Sequence, residues 1–120
     1  MRTNAAVALL LEDEPLIAMD IEIILGGAGF HVTTVMSCEE AEDWLEICRP
    51  DIVIVDIILR DGPSHNIVAK LIEGNIPFIV HSGDHPSMHV ETPFAHGRWV
   101  SKPADGDELA AVARTMLAAT

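Results

Sequence analysis

Basic residues are scarce in this sequence. Its 120 residues include seven Lys and Arg against 19 Asp and Glu, which gives a formal net charge of −12. A charge of this sign and size repels phosphate backbones and anionic membranes, and it argues against direct nucleic-acid binding. We therefore expect the partners of this chain to be cations or basic protein surfaces.

Cysteine is also scarce. Cys38 and Cys48 stand alone, outside any CxxC or zinc-binding pattern, so the sequence indicates neither a disulfide framework nor a structural metal site. We expect both to be small buried hydrophobic residues, and we expect the cytoplasm to be the compartment.

Long apolar runs are missing as well. The longest run that could imitate a targeting segment covers residues 5–11, and it ends in an acidic stretch rather than in a small-residue cleavage site. About 18 to 20 apolar residues are needed to span a bilayer. We therefore expect no membrane insertion, and we interpret this run as a buried strand.

Hydrophobic residues are plentiful, at 49% of the chain against 22% charged residues. A chain of this length and composition can bury one continuous core, so we expect a single domain over residues 1–120, with its core at about 6–118. Met1 and the compact ending at Thr120 favour a complete single-domain protein.

Apolar runs and helical periodicities alternate along the chain. Ser37 and Glu40 form a capping box, and Asp105 with Glu108 forms another before the last helix. Residues 84–97 hold two prolines and three histidines, so we expect at most a short helix there. The pattern predicts an α/β fold, a doubly wound five-stranded parallel sheet with flanking helices. The predicted strands cover residues 7–11, 30–35, 52–55, 77–81 and 99–100, and the helices follow Pro15, Ser37, Pro63 and Asp105.

Polar residues follow the ends of the predicted strands. They are Glu12 and Asp13 after the first strand, Asp56 after the third, Ser82 after the fourth and Lys102 after the fifth. Ligands of open parallel sheets bind at the carboxyl ends of the strands, so these side chains should meet at one edge.

Three carboxylates at one edge repel each other, since two unit charges about 4 Å apart interact by about 4 kcal/mol at an effective dielectric constant near 20. Mg²⁺ would offset this repulsion, because it binds few protein carboxylates and completes its shell with water and phosphate oxygens. Asp56 could then act as a nucleophile on phosphorus. Lys102 and Ser82 would offset the charge on the phosphoryl oxygens.

Five motifs of this chain, taken in order and at their spacing, resemble the response-regulator receiver domain of two-component signalling. The resemblance covers about residues 6–118 and implies a flavodoxin-like receiver fold. Arg60 stands where that family usually has proline, and residues 84–97 look poorer in helix than the family's fourth helix. The motifs are Leu9-Leu10-Leu11-Glu12-Asp13-Glu14-Pro15, Pro50-Asp51-Ile52-Val53-Ile54-Val55-Asp56, Asp61-Gly62, Ser82-Gly83 and Lys102-Pro103.

The resemblance implies that Asp56 accepts a phosphoryl group from a histidine kinase or a phosphotransfer protein. It implies that Mg²⁺ binds Glu12, Asp13, Asp56 and the backbone carbonyl of Ile58. It also implies that Ser82 and Trp99 change rotamer on phosphorylation and remodel a surface for a downstream protein. Such a domain catalyses its own phosphorylation and dephosphorylation, and it is a signalling domain rather than an enzyme.

Two other functions fit parts of the pattern. A Mg²⁺-dependent phosphohydrolase with an aspartyl-phosphate intermediate would need a second carboxylate two residues after Asp56, where this chain has Ile58. A degenerate receiver, used for protein contacts alone, does not fit the intact Asp56 and Lys102.

Histidines in residues 84–97 raise the question of a second metal site. His85 and His89 are spaced to ligate a metal from one face of a helix, with Asp84 or His96 nearby. The more ordinary interpretation of these residues is an exposed polar loop. Trp44, at helical spacing with Leu45, is expected in the core.

Overall fold

The structure is a computed structural model that describes residues 5–103 and 106–118. One parallel sheet has the strand order β2-β1-β3-β6-β7, and a small antiparallel pair, β4 and β5, lies beside it. This confirms the predicted five-stranded parallel sheet. The strands are β1 (Ala6–Leu11), β2 (Phe30–Val35), β3 (Ile52–Val55), β4 (Ile58–Leu59), β5 (Gly62–Pro63), β6 (Phe78–Ser82) and β7 (Arg98–Ser101).

Four α-helices cover both faces of the sheet. One apolar cluster joins the sheet to α2 and α3, and a second joins it to α1 and α4. The sheet is therefore doubly wound, as the alternation of strands and helices predicts. Asp105, the predicted cap of the last helix, lies outside the described residues. The helices are α1 (Pro15–Gly27), α2 (Cys38–Ile47), α3 (His65–Glu73) and α4 (Gly106–Ala118).

The central strands are apolar on both faces because both faces are covered by helices. In β1, Leu9 and Leu11 belong to the cluster beneath α2 and α3, whereas Ala8 and Leu10 belong to the cluster beneath α1 and α4. All four side chains are buried. Such two-sided burial produces continuous apolar runs rather than an alternation of polar and apolar residues.

The segment between β6 and β7 contains two 3₁₀ helices, Pro86–His89 and Pro93–His96. Each begins with a proline, whose missing N–H and fixed φ suit the first turn. Neither is longer than four residues, so the expectation of at most a short helix is confirmed.

Two predictions about cysteine and tryptophan need correction. Cys48 is exposed and Cys38 is half-buried, so neither is the buried hydrophobic residue we expected. Cys48 misses the core because α2 ends at Ile47 and the backbone of Cys48 is extended, with φ −126° and ψ 152°. Trp44 packs against the core but stays half-buried.

Among the described residues, no helix is long and apolar enough to cross a membrane.

Candidate functional site

The sheet register brings the polar residues of strands β1 and β3 together. Leu11, the last residue of β1, is paired with Val55, the last residue of β3. Glu12 and Asp13 follow the first strand and Asp56 follows the third, so their side chains emerge side by side. Ser82 is the last residue of β6 and is paired with Ser101, the last residue of β7; Lys102 follows directly.

Three carboxylates form a cluster at this edge. One oxygen from each of Glu12, Asp13 and Asp56 lies within 4.8 Å of the others. Lys102 Nζ lies 2.8 Å from Asp56 Oδ2 and 3.3 Å from Glu12 Oε1. The structure thus brings four of the predicted site residues into one group, in which three carboxylates lie beside one lysine. Carboxylate oxygens are hard donors, which fit Mg²⁺ better than they fit a thiolate-binding metal.

Burial and charge act against each other at this cluster. Burial raises the pKa of Glu12, and the Glu14 N–H and Lys102 only partly offset that rise. Burial alone would lower the pKa of Lys102, but its hydrogen bond to Asp56 and the charges of Asp56 and Glu12 outweigh it and raise that pKa. Lys102 is therefore held as a cation between two carboxylates.

The turn after β3 is held by a serine that the sequence analysis missed. Asp56 Oδ1 accepts a hydrogen bond of 2.8 Å from the Ile57 N–H. The Ser64 hydroxyl, which is fully buried, donates to the carbonyls of Asp56 at 2.7 Å and Ile57 at 3.1 Å. A serine before an apolar helix suggests an N-cap. Here its hydroxyl bonds back to the turn, which the local pattern does not encode.

The Ile58 side chain is exposed, and the role of the Ile58 carbonyl as a metal ligand stays a prediction.

Ser82 and Trp99 lie beside the 84–97 segment. Ser82 Oγ accepts a 3.0 Å hydrogen bond from the backbone N–H of Asp84. Trp99 is half-buried and packs against the core beneath α2 and α3. The ring of His89 stacks on Trp99, with 5.7 Å between centroids. The switching roles of Ser82 and Trp99 stay predictions.

The structure does not support the alternative of a histidine metal site in residues 84–97. The histidine rings bond to different residues, because this stretch is 3₁₀ rather than α-helical and the i, i+4 spacing no longer gives a shared face. His85 Nδ1 is 2.8 Å from Ser87 Oγ, and His89 Nε2 is 3.0 Å from Asp84 Oδ2. Over residues 5–103 and 106–118, the acidic trio is the one group of ligating side chains close enough to hold a metal ion.

Sequence comparison finds bacterial regulators. The chain is 33% identical over 113 residues to the cell cycle transcriptional regulator CtrA of Caulobacter vibrioides, covering 86% of this chain and 46% of that protein. It is 29% identical over 117 residues to the response regulator Rre1 of Synechocystis, covering 92% and 51%. A 62-residue match to the regulator PhyR of Methylorubrum extorquens is 42% identical and covers 50% and 23%. The chain thus spans about half or less of these curated relatives. No family model matches it.

Solved structures with the same fold are receiver domains. A two-component response regulator from Clostridium difficile superposes with a TM-score of 0.85 at 18% identity, covering 94% of this chain and 96% of that one. The receiver domain of a Pseudomonas aeruginosa sensor histidine kinase, with magnesium coordinated in its active-site cleft, gives 0.83 at 21%, covering 96% and 99%. A CheY-like receiver domain from Methylobacillus flagellatus gives 0.79 at 23%, covering 94% and 99%. The two comparisons agree: the chain has the fold of response-regulator receiver domains, and it is similar in sequence to bacterial regulators over 86% to 92% of its length.

Proposed function

We propose that Asp56 is the phosphoacceptor of this domain and that the phosphoryl group comes from a histidine kinase or a phosphotransfer protein. The observation that carries the proposal is the contact of Lys102 Nζ with Asp56 Oδ2, beside the cluster formed with Glu12 and Asp13. A carboxylate at this position can attack phosphorus, and the adjacent cation can stabilise the charge of the transferred group.

The transfer step forms one bond and breaks another. An oxygen of Asp56 attacks phosphorus, a P–O bond forms, and the P–N bond to the donor imidazole breaks, with the imidazole taking the electron pair. Lys102 would remain near the phosphoryl oxygens, and Ser82 would donate its hydroxyl proton to one of them. Water would later attack phosphorus and return Asp56 as a carboxylate, releasing inorganic phosphate.

The acidic cluster is suited to hold Mg²⁺ in this reaction. Glu12, Asp13 and Asp56 would supply carboxylate oxygens, and the Ile58 carbonyl would supply a fourth protein ligand. The metal supplies electrostatic stabilisation of the phosphoryl oxygens when bound. Glu12 is the most buried of the three carboxylates, with a side chain 2% exposed, so its position is the most firmly fixed by the fold.

The proposed output is a change of protein contacts. Phosphorylation would act on Ser82 and Trp99 and alter the surface that a downstream protein reads. We place this signalling in the cytoplasm, where the kinase and phosphotransfer partners of such domains work. The acidic charge of the chain favours basic surfaces on those partners.

The test is incubation with a small acyl-phosphate donor and Mg²⁺, followed by intact-mass measurement over time. We expect one phosphoryl group per chain in the wild type, and none in Asp56→Asn, which keeps the side-chain volume. Asp20→Asn, an exposed carboxylate on α1, is the matched control and should behave as wild type.

The same time course separates the alternatives. Steady release of phosphate at a rate far above the loss of a single phosphoryl group would support the phosphohydrolase. An Asp56→Asn variant that still gains one phosphoryl group at the wild-type rate would exclude Asp56 as the acceptor, and a wild type that gains none would support the degenerate receiver.

A further inference from the structure

We propose that His89 is a positioning residue for the phosphoacceptor reaction, which it influences through Asp84 and Ser82 in a manner that depends on pH. This inference rests on the proposed function of Asp56. In the unphosphorylated structure, His89 restrains Ser82 and Trp99 together, and the restraint strengthens when the imidazole is protonated.

The first contact is between His89 and Asp84. His89 Nε2 lies 3.0 Å from Asp84 Oδ2; the His89 side chain is 16% exposed and the Asp84 side chain is 44% exposed. The backbone N–H of Asp84 donates to Ser82 Oγ at 3.0 Å. Asp84 therefore contacts His89 through its side chain and Ser82 through its backbone N–H.

The second contact is between His89 and Trp99. The two rings are stacked, with an interplanar angle of 29°, and Phe94 and the imidazole form a T-shaped pair with 5.6 Å between centroids. His89 is thus connected to both residues that the receiver resemblance assigns to the switch. It contacts Trp99 directly, and it is linked to Ser82 through Asp84. His89 is further fixed at its carbonyl, which accepts hydrogen bonds from the N–H and the hydroxyl of Thr92.

Protonation of His89 strengthens both contacts. An imidazolium donates a charge-assisted hydrogen bond to the Asp84 carboxylate, and its positive charge interacts favourably with the π face of Trp99. Asp84, from its own segment, is the charged group in contact with the ring; Phe94 from the second 3₁₀ helix and Trp99 from β7 are neutral. The restraint is therefore stronger when the imidazole carries a second proton than when it is neutral.

The hydrogen bond between Ser82 and Asp84 connects this restraint to the proposed phosphoryl site. The Ser82 oxygen accepts from the Asp84 N–H in this structure, and a rotamer change that brings the Ser82 hydroxyl to the phosphoryl group would move that oxygen away from the N–H. Moving Ser82 strains the Asp84 bond, and this costs more when His89 is protonated. Because binding linkage is reciprocal, occupation of the phosphoryl position must also weaken the His89–Trp99 contact.

The test uses the full chain carrying Trp44→Phe, which leaves Trp99 as the one tryptophan. Affinity for beryllofluoride with Mg²⁺, a phosphoryl mimic, is measured at pH 6 and pH 8, with Trp99 fluorescence followed across the same range. We expect His89→Ala to bind the mimic about fivefold more tightly at pH 6 and to lose the fluorescence titration. His85→Ala, an exposed histidine of the same segment, is the matched control and should keep the parent's affinity and titration.

His89→Gln provides the conservative variant. Its amide can still donate to Asp84 but does not titrate, so we expect mimic affinity in this variant at pH 6 to match that of the parent at pH 8. A His89→Ala variant with the parent's affinity ratio between the two pH values, or a Trp99 titration that persists in it, overturns the inference. In either case, intact-mass measurement of Asp56 phosphorylation on the same samples shows whether the proposed function itself has failed.

Discussion

His81 is a buried titratable side chain in the middle of the sheet. It is 3% exposed, and neither ring nitrogen has a hydrogen-bond partner in the structure. Burial and the charge of Lys102 lower the pKa of His81 to about 4, and Asp56 only partly opposes this. The imidazole is therefore neutral in the folded protein at neutral pH.

This histidine should destabilise the fold in mild acid. Between the ordinary pKa of 6.5 and about 4, the unfolded chain binds a proton that the folded chain does not, so stability falls as the pH falls through this window. We expect His81 to contribute a loss of about 2 kcal/mol between pH 7.5 and pH 5.0. Urea unfolding at both values should show a smaller acid loss in His81→Leu. His31→Gln, at an exposed position, is the control.

The site residues differ in how far the sequence could predict them. Glu12, Asp56 and Lys102 were predictable, because each follows an apolar strand and parallel strands end at one edge. The bonds of Ser64 and His89 were not. They depend on the path of two irregular segments, residues 57–64 and 84–97, and no periodicity describes those paths.

The start of helix α2 is fixed by a side chain that the sequence predicted. Ser37 Oγ accepts a 3.1 Å hydrogen bond from the Glu40 N–H, as the capping box requires. The Glu40 carboxylate reaches back to the N–H of Met36 rather than to that of Ser37. Asp61 adds a distant cap, because its two carboxylate oxygens accept the N–H groups of Cys38 and Glu39.

Removing the serine cap should weaken the whole domain, since α2 packs on the sheet. We expect Ser37→Ala to lower the free energy of unfolding by about 1 kcal/mol, and Ser37→Thr to recover most of that loss because its hydroxyl can cap the same N–H. Chemical denaturation of the three proteins measures both effects. Equal stability of the alanine variant and wild type would contradict a stabilising role of the Ser37 cap.

Elements with a local signal were predicted better than elements held by distant contacts. The apolar run of β3 and the glycine after α3 mark their own boundaries. The β4–β5 pair was not predicted. Each strand has only two residues, which is too short for an apolar periodicity, and the pair consists of two antiparallel residue pairs. The exposed Cys48 was missed for a related reason, since apolar spacing continues past the residue where α2 ends.

Repulsion within the acidic cluster lowers the free energy of unfolding of the whole domain, and a bound cation should reduce this repulsion. Because a ligand of the folded state stabilises that state by mass action, we expect millimolar Mg²⁺ to raise the melting temperature. The increase should vanish in a Glu12→Gln, Asp13→Asn double variant, whose melting temperature without Mg²⁺ should equal or exceed that of wild type. Identical wild-type melting curves in EDTA and in Mg²⁺ would exclude a cation site here.

Stability is distributed unevenly over the molecule, and this decides which part could respond to the proposed phosphorylation. Val53, Ile54 and Val55 are at most 1% exposed in the central strand β3, whereas Met88 and Val90 are 66% and 68% exposed. The two prolines of residues 84–97 also remove backbone donors. Opening of this segment should therefore cost much less free energy than opening of the sheet.

Amide hydrogen exchange with and without beryllofluoride and Mg²⁺ measures this difference. We expect rapid exchange at residues 84–97 in the free protein, a change in their exchange rate when the mimic binds, and slow exchange at Val53–Val55 in both states. The change should occur because Ser82 is bonded to the first residue of the segment, so a movement of Ser82 alters the equilibrium of the residues that follow it. Protection at 84–97 as strong as at Val53–Val55 in both states would contradict this, and the responsive surface would then have to lie on α4.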